Sequence, residues 1–430
     1  MESQIIRYVE ENRERLFQIA GDLVRLNSEN MPPAGREGEC QRYGAALLRG
    51  CGWEPELYEL SEVAGLREHA LFAGNREYAG RPNLAARRRG TGGGRSLVLS
   101  GHVDTVPRGT QPWTRDAFGG AMEGGRVYGR GSVDMKAGVA LNLFMAEAVV
   151  GLGMRLAGDL TVEAVIDEEF GGVNGTLAGR LRGYRADAAI VTEPTSLRVC
   201  AGQRGGRTVH ISFSARGGIL NDNGGRGGVV EQLTHFLVRL RDFAERRNRG
   251  VRVHPLYAGC SDPVPVSVTR IFTAPWGTGE PITIPEECKV ELYWQLMPGE
   301  GQAEVEAEFF EWFDSMITAA PELFGRWPVV EFPIRWMPGS AVDVGEPVVT
   351  ELAACAAVAL GAPAVIAGIE GPCDLFVFHE FGIPAVLWGP AGGNVHAADE
   401  YVELDSLASA AKVLLLFVAR WCGGSMEGPD

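Results

Sequence analysis

The chain has 430 residues, of which 45% are hydrophobic and 22% are charged, a composition typical of globular proteins and long enough for two or more domains. Its formal net charge of −15 argues against nucleic acid and anionic membranes as partners, because both repel an acidic protein. We find no signal peptide, no run of 18 apolar residues and no Cys-x-x-Cys pair among the eight cysteines. These features predict a reduced, cytoplasmic protein without a membrane span.

The first half of the chain alternates between predicted helices and strands. Apolar residues at helical spacing predict helices over 4–26 and 38–50. The Arg- and Gly-rich segment 87–95 lacks the Gly-Lys-Ser/Thr of a phosphate loop and has no helix after it, so it is predicted to be a hairpin turn. Apolar runs then predict strands over 96–101, 160–166 and 187–192, with a helix over 135–150. This alternation is typical of an α/β core.

The pattern changes after Cys200 and returns near residue 345. Period-2 alternation predicts strands over 208–215 and 288–296, and helical spacing predicts helices over 229–247 and 301–318. The core pattern then resumes with a helix over 347–360, an apolar strand over 385–388 and a helix over 404–421. We therefore predict a catalytic domain formed by 1–201 and 323–430, with a small inserted α+β domain at 202–322.

The stretch "SGHVDTVP" places His102 and Asp104 two residues apart at the carboxyl end of a predicted strand. Residues at this spacing leave a strand on the same face. A metal-bound imidazole with a carboxylate behind it fits that geometry. A surface histidine beside a turn-capping aspartate fits it equally well.

Four later segments also place acids or histidine at strand ends or in loops: "GRGSVDMKAG", "VIDEEFGG", "VTEPT" and "GNVHAADEYV". Each has an ordinary structural alternative, namely a helix N-cap for Asp134, a solvated turn for Glu168 and Glu169, a loop position for Glu193 and a surface histidine for His396. Taken together, imidazoles and carboxylates at one sheet edge suit zinc or a similar ion. Their number matches two ions that share one carboxylate and leave one acid as a general base.

Read in order, these segments resemble the metallopeptidase family that includes acetylornithine deacetylase, succinyl-diaminopimelate desuccinylase, aminoacylase and the glutamate-releasing carboxypeptidase. The resemblance extends from about residue 10 to 420 and is weak in the inserted domain. It implies an α/β fold in two domains, with a mixed-sheet, zinc-exopeptidase-like catalytic domain and a small α+β lid through which the chain forms a homodimer. It also implies hydrolysis of an amide bond in a small molecule or short peptide.

The resemblance implies a role for each residue of the motifs. Two divalent ions are implied, zinc in the first place, although cobalt and manganese also fit the residue types. The implied roles are metal binding for His102, Asp134, Glu169, Glu193 and His396, with Asp134 as the bridge, general-base catalysis for Glu168, and orientation of the His102 ring for Asp104.

The inserted domain departs from the family pattern. Asn221 stands in place of a histidine, Ile282 in place of an asparagine, and Gln295 in place of the arginine that grips a substrate carboxylate, with Tyr293 in place of its aspartate. An arginine binds a carboxylate as a charged, bidentate pair, which glutamine cannot do. We therefore predict an N-acyl amine or amino-acid derivative that is not anchored by an α-carboxylate, in a specialised biosynthetic role.

Some assignments stay open at this stage. The candidate substrate-binding residues are Asn221, Gln295 and Asp374. A dipeptidase or carboxypeptidase is the alternative activity, with the substrate held by Arg204, Arg207 or Arg226, and a metal-binding protein without turnover is a third. Trp294 belongs either to an aromatic substrate site or to the core. Cys373, with His379 nearby, is either a nucleophile or a small buried neighbour of Asp374.

Overall fold

A computed structural model describes residues 1–219, 227–273 and 283–426. The chain separates into two compact units. Unit 1 contains Met1–Gln203, Ala341–Ile369 and Cys373–Asp430, and unit 2 contains Arg204–Ser340 and Glu370–Pro372.

The elements are numbered in chain order. As far as Gln203 they are α1 (Glu2–Arg25), β1 (Asn30–Met31), β2 (Ala34–Gly35), α2 (Gly38–Gly50), β3 (Pro55–Tyr58), β4 (Asn83–Arg88), β5 (Leu97–His102), β6 (Ala121–Glu123), β7 (Arg126–Tyr128), α3 (Ala137–Gly151), β8 (Met154–Arg155), β9 (Leu160–Val165), α4 (Asn174–Leu181), β10 (Ala188–Val191) and β11 (Val199–Gln203).

The next elements are β12 (Gly205–Ser214), β13 (Gly218–Ile219), α5 (Val229–Gly250), β14 (Val266–Phe272), β15 (Thr283–Ile284), β16 (Glu287–Leu296), α6 (Gln302–Thr318) and β17 (Val329–Glu331). The last part of the chain contains β18 (Ser340–Ala341), α7 (Pro347–Leu360), β19 (Ile366–Ile369), α8 (Leu375–Glu380), β20 (Ala385–Leu387), β21 (Gly392–Gly393), β22 (Tyr401–Glu403), α9 (Leu404–Trp421) and β23 (Ser425–Met426).

The main sheet of unit 1 is mixed and runs in the order β11-β20-β10-β5-β9-β4-β3. Strands β20, β10, β5 and β9 are parallel to one another, whereas β11 pairs antiparallel with β20, and β4 and β3 continue the other end of the row antiparallel. Parallel strands buried on both faces are mostly apolar, and every residue of β5 and β9 is buried. The carboxyl ends of β5, β9 and β10 therefore lie side by side at one edge.

The prediction of a hairpin turn at 87–95 is wrong. Strand β9 lies between β4 and β5, pairing antiparallel with the first and parallel with the second. The segment between β4 and β5 is consequently a crossing connection. The chain does reverse between β4 and β5, as the local turn chemistry indicated, but β9 lies between the two strands, so they do not pair as a hairpin.

Unit 2 contains an antiparallel sheet in the order β14-β16-β12-β17. Its core combines apolar residues of β12 and β16 with those of α5 and α6. Trp294 is fully buried in this core, with its ring 5.3 Å from Phe309 and 5.7 Å from Phe243. Trp294 therefore belongs to the core, and the alternative of an aromatic substrate site is wrong for this residue.

Unit 2 also extends further than the predicted inserted domain. Strand β17 pairs with β12, so the chain beyond residue 323 stays in this unit as far as Ser340. A strand of three residues carries too little periodicity to be recognised in the sequence. None of the helices in the described ranges is both long and apolar enough to cross a bilayer.

Candidate metal centre

His102 is the last residue of β5, and its imidazole is 2% exposed. Its Nε2 atom lies 3.3 Å from Oδ1 of Asp134, 3.7 Å from Oε1 of Glu193 and 3.9 Å from Oε2 of Glu168. This Nε2 is buried and has no hydrogen-bond partner within the described ranges. Burying a polar nitrogen without a partner is costly, so the atom is oriented for a ligand.

His396 approaches the other oxygen of the same carboxylate. Its Nε2 lies 3.3 Å from Oδ2 of Asp134 and 3.0 Å from Oε2 of Glu169, and its side chain is 48% exposed. The two oxygens of Asp134 thus face two different imidazoles. One set of groups contains His102, Asp134 and Glu193, and the other contains His396, Asp134 and Glu169.

The two sets fit a pair of divalent cations. Donor atoms at 2.0–2.1 Å from a tetrahedral ion lie about 3.3–3.4 Å from one another. Here the Nε2 atom of each histidine lies 3.0–3.7 Å from the carboxylate oxygens of its own set. Single donor atoms of His102, Asp134 and Glu169 all lie within 4.8 Å of each other. Imidazole and carboxylate are ligands that zinc and similar ions accept.

The pKa values in this cluster indicate a shortage of positive charge. Burial and the negative charges of Asp374 and Glu193 raise the pKa of Glu168 well above its usual range, although His102 opposes the change. Burial and Asp134 raise the pKa of Glu193 in the same way. Burial lowers the pKa of His396, but Asp134 and Glu169 outweigh it and raise the value to about 11. Protons are retained where acids crowd together, and cations would replace them.

Asp104 acts through different atoms from those that the sequence suggested. The Nδ1 atom of His102 lies 2.9 Å from the backbone oxygen of Asp104 and 3.6 Å from its Oδ1, so the carbonyl orients the ring. The Asp104 carboxylate instead accepts the backbone N–H groups of Glu168 at 3.0 Å and Glu169 at 3.1 Å. The Asn30 side chain, which the sequence did not single out, donates to it at 2.9 Å. Asp104 therefore fixes the turn that carries both glutamates.

Asp134 is not a helix N-cap. Helix α3 begins at Ala137, and Asp134 lies before it in an irregular turn over Ser132–Lys136 with φ −116° and ψ 96°. The carboxylate of Glu400 accepts the N–H of Asp134 at 3.2 Å. Sequence analysis missed Glu400, whose only visible signal is its place in the "DEYV" part of the His396 segment.

Asp374 and Cys373 are both buried beside this cluster. Asp374 accepts a hydrogen bond from Thr176 through Oδ2, and its Oδ1 has no partner among the described residues. Burial is the main reason why the pKa of Asp374 rises to about 7. Cys373 lies 3.2 Å from the Gln203 side-chain oxygen, and burial raises the pKa of its thiol. A raised pKa disfavours the thiolate, so the structure argues against Cys373 as a nucleophile.

In unit 2, a guanidinium group lies against Gln295. Arg204 Nη1 donates to Gln295 Oε1 at 2.6 Å, and Arg204 is 5% exposed. Arg207 is different, because it pairs with Glu306 and donates to the backbone oxygen of Ile334. A positive charge is therefore present beside Gln295, although Gln295 itself is neutral. Asn221, Ile282 and Arg226 lie outside the described residues.

Known proteins with sequence or structural similarity include hydrolases of amide bonds. A deformylase of N-formyl-4-amino-5-aminomethyl-2-methylpyrimidine from Bacillus subtilis (strain 168) is 26% identical over 441 aligned residues, which cover 97% of both chains. A succinyl-diaminopimelate desuccinylase from Leptothrix cholodnii is 27% identical and covers 91% of this chain and 94% of its own. The crystal structure of human carnosine dipeptidase 1 superposes with a TM-score of 0.75 at 14% identity, over 98% of this chain and 100% of that one.

Because the sequence identity to the dipeptidase is low, this likeness shows the two-domain α/β fold and nothing more. The sequence profile of Peptidase family M20/M25/M40 matches residues 98–420, which is most of the chain and includes every proposed metal ligand. The chain therefore belongs to Peptidase family M20/M25/M40 and is a hydrolase of amide bonds.

Proposed function

We propose that this protein is a two-metal deacylase that releases an amine by hydrolysing its N-acyl bond. The observation that carries the proposal is the position of Asp134, whose two carboxylate oxygens each lie 3.3 Å from a different imidazole. His102, Asp134 and Glu193 would hold one ion, and His396, Asp134 and Glu169 the other. Zinc is the first choice because nitrogen and oxygen donors in a compact set suit it, and cobalt or manganese are alternatives.

Glu168 is the proposed general base. Bound divalent ions lower the pKa of water and polarise a carbonyl group. The Glu168 side chain is 11% exposed, and no Lys or Arg of the described chain forms an ion pair with it. Its backbone N–H is held by Asp104, which limits the positions that the side chain can reach. A carboxylate with a raised pKa is suited to accept a proton from water and deliver it to the leaving amine.

The proposed substrate class follows from the relatives, two of which are named for removing a formyl or a succinyl group from an amine.

We place this chain in the cytoplasm as a homodimer that associates through unit 2. Strand β14, at the edge of the unit 2 sheet, supports the dimer because Ile271 and Phe272 are 48% and 62% exposed. Apolar side chains on an unpaired edge strand favour association with another chain.

A dipeptidase or carboxypeptidase is the second candidate, and Arg204 is the observation that favours it. Such an enzyme needs a cation for the free carboxylate of a peptide. Arg204 is 5% exposed, yet its partner is the neutral Gln295, and no carboxylate in the described ranges forms an ion pair with it. A buried guanidinium without a counter-ion is costly, which favours an anionic ligand.

Metal content and turnover, measured together, test these proposals. Wild type, Glu168→Gln and the control Glu62→Gln, at an exposed position, would be assayed against N-acyl amines and dipeptides. We expect about two ions per chain in all three proteins and a loss of about 10²–10⁴-fold in turnover for Glu168→Gln alone. Faster cleavage of dipeptides would support the second candidate. Two bound ions without turnover of any substrate would indicate a metal-binding protein, and no bound ion would refute both activities.

A further inference from the structure

Glu400 is a fully buried acid that makes four polar contacts with one turn. Its Oε1 atom accepts the backbone N–H groups of Val133 at 3.1 Å and Asp134 at 3.2 Å. Its Oε2 atom accepts the N–H of Gly131 at 3.1 Å and a hydrogen bond from Arg130 Nη1 at 2.6 Å. The carboxylate thus binds three N–H groups of a single turn, and Arg130 balances its charge.

These N–H groups need an acceptor from outside their own turn. Gly131 has φ +78°, and Asp134 has the extended values given above, so the turn cannot supply the regular i to i−4 bonds of a helix. Glu400 accepts the hydrogen bonds from these N–H groups that backbone carbonyls would accept in a regular helix. It therefore stabilises the backbone conformation from which the Asp134 side chain projects.

Glu400 also joins two distant parts of the sequence. It lies four residues after His396 and directly before β22, which pairs with β7 through Tyr401 and Tyr128. Its backbone oxygen accepts the N–H of Gly129 at 2.9 Å, so main chain and side chain both contact the segment that leads to Asp134. The segments that carry Asp134 and His396 are held together at this residue.

We propose that Glu400 is a positioning residue that sets the bridging carboxylate of Asp134 relative to His396 before any ion binds. The inference rests on the proposed function, in which Asp134 and His396 are ligands of the same ion. Glu400 itself binds neither metal nor substrate. Its effect is to reduce the conformational freedom that the ligand set must lose when the ion arrives.

The substitution Glu400→Gln tests this role at nearly constant size. Glutamine has one oxygen, so its NH₂ group must face either Gly131 and Arg130 or Val133 and Asp134, all of which are donors. The neighbouring Asp399 offers a matched control. Its carboxylate accepts the N–H groups of Thr114 at 2.9 Å and Arg115 at 3.3 Å, on a segment without proposed ligands.

Cobalt(II) titration of the metal-free full chain, followed by visible absorption, provides a readout other than activity. We expect Glu400→Gln to weaken cobalt binding by about 10–100-fold and to change the absorption spectrum, because outer contacts of this kind usually have effects of that size. Asp399→Asn should bind within about twofold of wild type with an unchanged spectrum. A folded Glu400→Gln protein with wild-type affinity and spectrum would overturn the proposal.

Amide hydrogen exchange of metal-free wild type keeps the test decisive if Glu400→Gln does not fold. The amides of Gly131, Val133 and Asp134 should exchange at least about tenfold more slowly than those of Thr114 and Arg115, because their common acceptor is buried. Equal exchange rates would refute a turn that is formed before metal binds. If wild type binds no cobalt, the proposed function fails, whereas the exchange result still decides whether Glu400 holds the turn.

Discussion

Carboxylates gather in two places in this molecule, with opposite results. In unit 2, Arg247 is 3% exposed on its side chain and pairs with Glu300 at 2.7 Å and Glu308 at 2.9 Å. In unit 1, Asp134, Glu168, Glu169 and Glu193 lie around two histidines, and within the described ranges no Lys or Arg forms an ion pair with any of them.

The difference shows how a structural acid can be distinguished from a ligand. A buried carboxylate stays ionised only when a nearby cation or a set of hydrogen bonds compensates its charge. Unit 2 provides that cation with its own arginine, so its acids need nothing further. The acids of unit 1 remain short of positive charge, which is the condition under which a protein binds metal ions and releases protons.

The largest expected effect is on the stability that the unit 2 cluster of Arg247, Glu300 and Glu308 provides. Arg247→Met should lower the free energy of unfolding by about 3–5 kcal/mol, because it leaves the partly buried Glu300 without its cation and Glu308 with only the exposed Arg246. Arg246→Met is the matched control, since Arg246 is 44% exposed and its pairs with Glu308 and Glu311 should contribute at most about 1 kcal/mol. Urea unfolding measures both values. Equal losses for the two variants would refute the contrast.

Loss of a single ion should have the next largest effect. At free metal 100–1,000 times above the dissociation constant, an ion that binds only the folded state adds about 2.7–4.1 kcal/mol per site. Treatment with a chelator should therefore lower the thermal midpoint, and added zinc should restore it. A midpoint that does not respond to chelation or to zinc would show that the acids of unit 1 are compensated in another way.

Asp104→Asn should weaken metal binding by about 10–100-fold, because asparagine offers the N–H groups of Glu168 and Glu169 only one uncharged oxygen in place of the carboxylate. Asp159 is the control, since its carboxylate accepts the backbone N–H of Gly90 at a position remote in sequence from every proposed ligand. Competition with a chromogenic chelator measures both affinities. An unchanged affinity for Asp104→Asn would mean that the turn keeps its shape without the carboxylate.

The smallest expected effect is that of replacing one glutamate by glutamine, which should change the stability of the metal-free protein in opposite directions in the two clusters. Glu193→Gln should stabilise metal-free protein, because one negative charge leaves a crowded group. Glu300→Gln should destabilise it. Since folding raises the pKa of Glu193, the wild-type penalty grows as pH rises, and the gain should be larger at pH 8 than at pH 4. A loss of stability for metal-free Glu193→Gln would contradict the comparison.

Much of the catalytic part was predictable because its signals are local. Helices α7 and α9 begin and end at the predicted residues, and their apolar spacing needs no distant partner. The candidate ligands were visible because each follows a strand or opens a loop within a short motif. The order of β4, β9 and β5 was not predictable, since it depends on pairing between residues far apart in sequence. Glu400 was missed and the role of Arg204 was left open because their contacts are also with residues far away in sequence.

The order of the ligands along the chain has a consequence for biosynthesis. The proposed set of His102, Asp134 and Glu193 is complete before the insertion begins, whereas His396 follows it, about 200 residues later. At 5–20 residues per second a ribosome needs about 10–40 seconds to cover that distance. A nascent chain therefore carries all donors of one ion well before the last donor of the other exists, so the two ions have different opportunities to be acquired during synthesis.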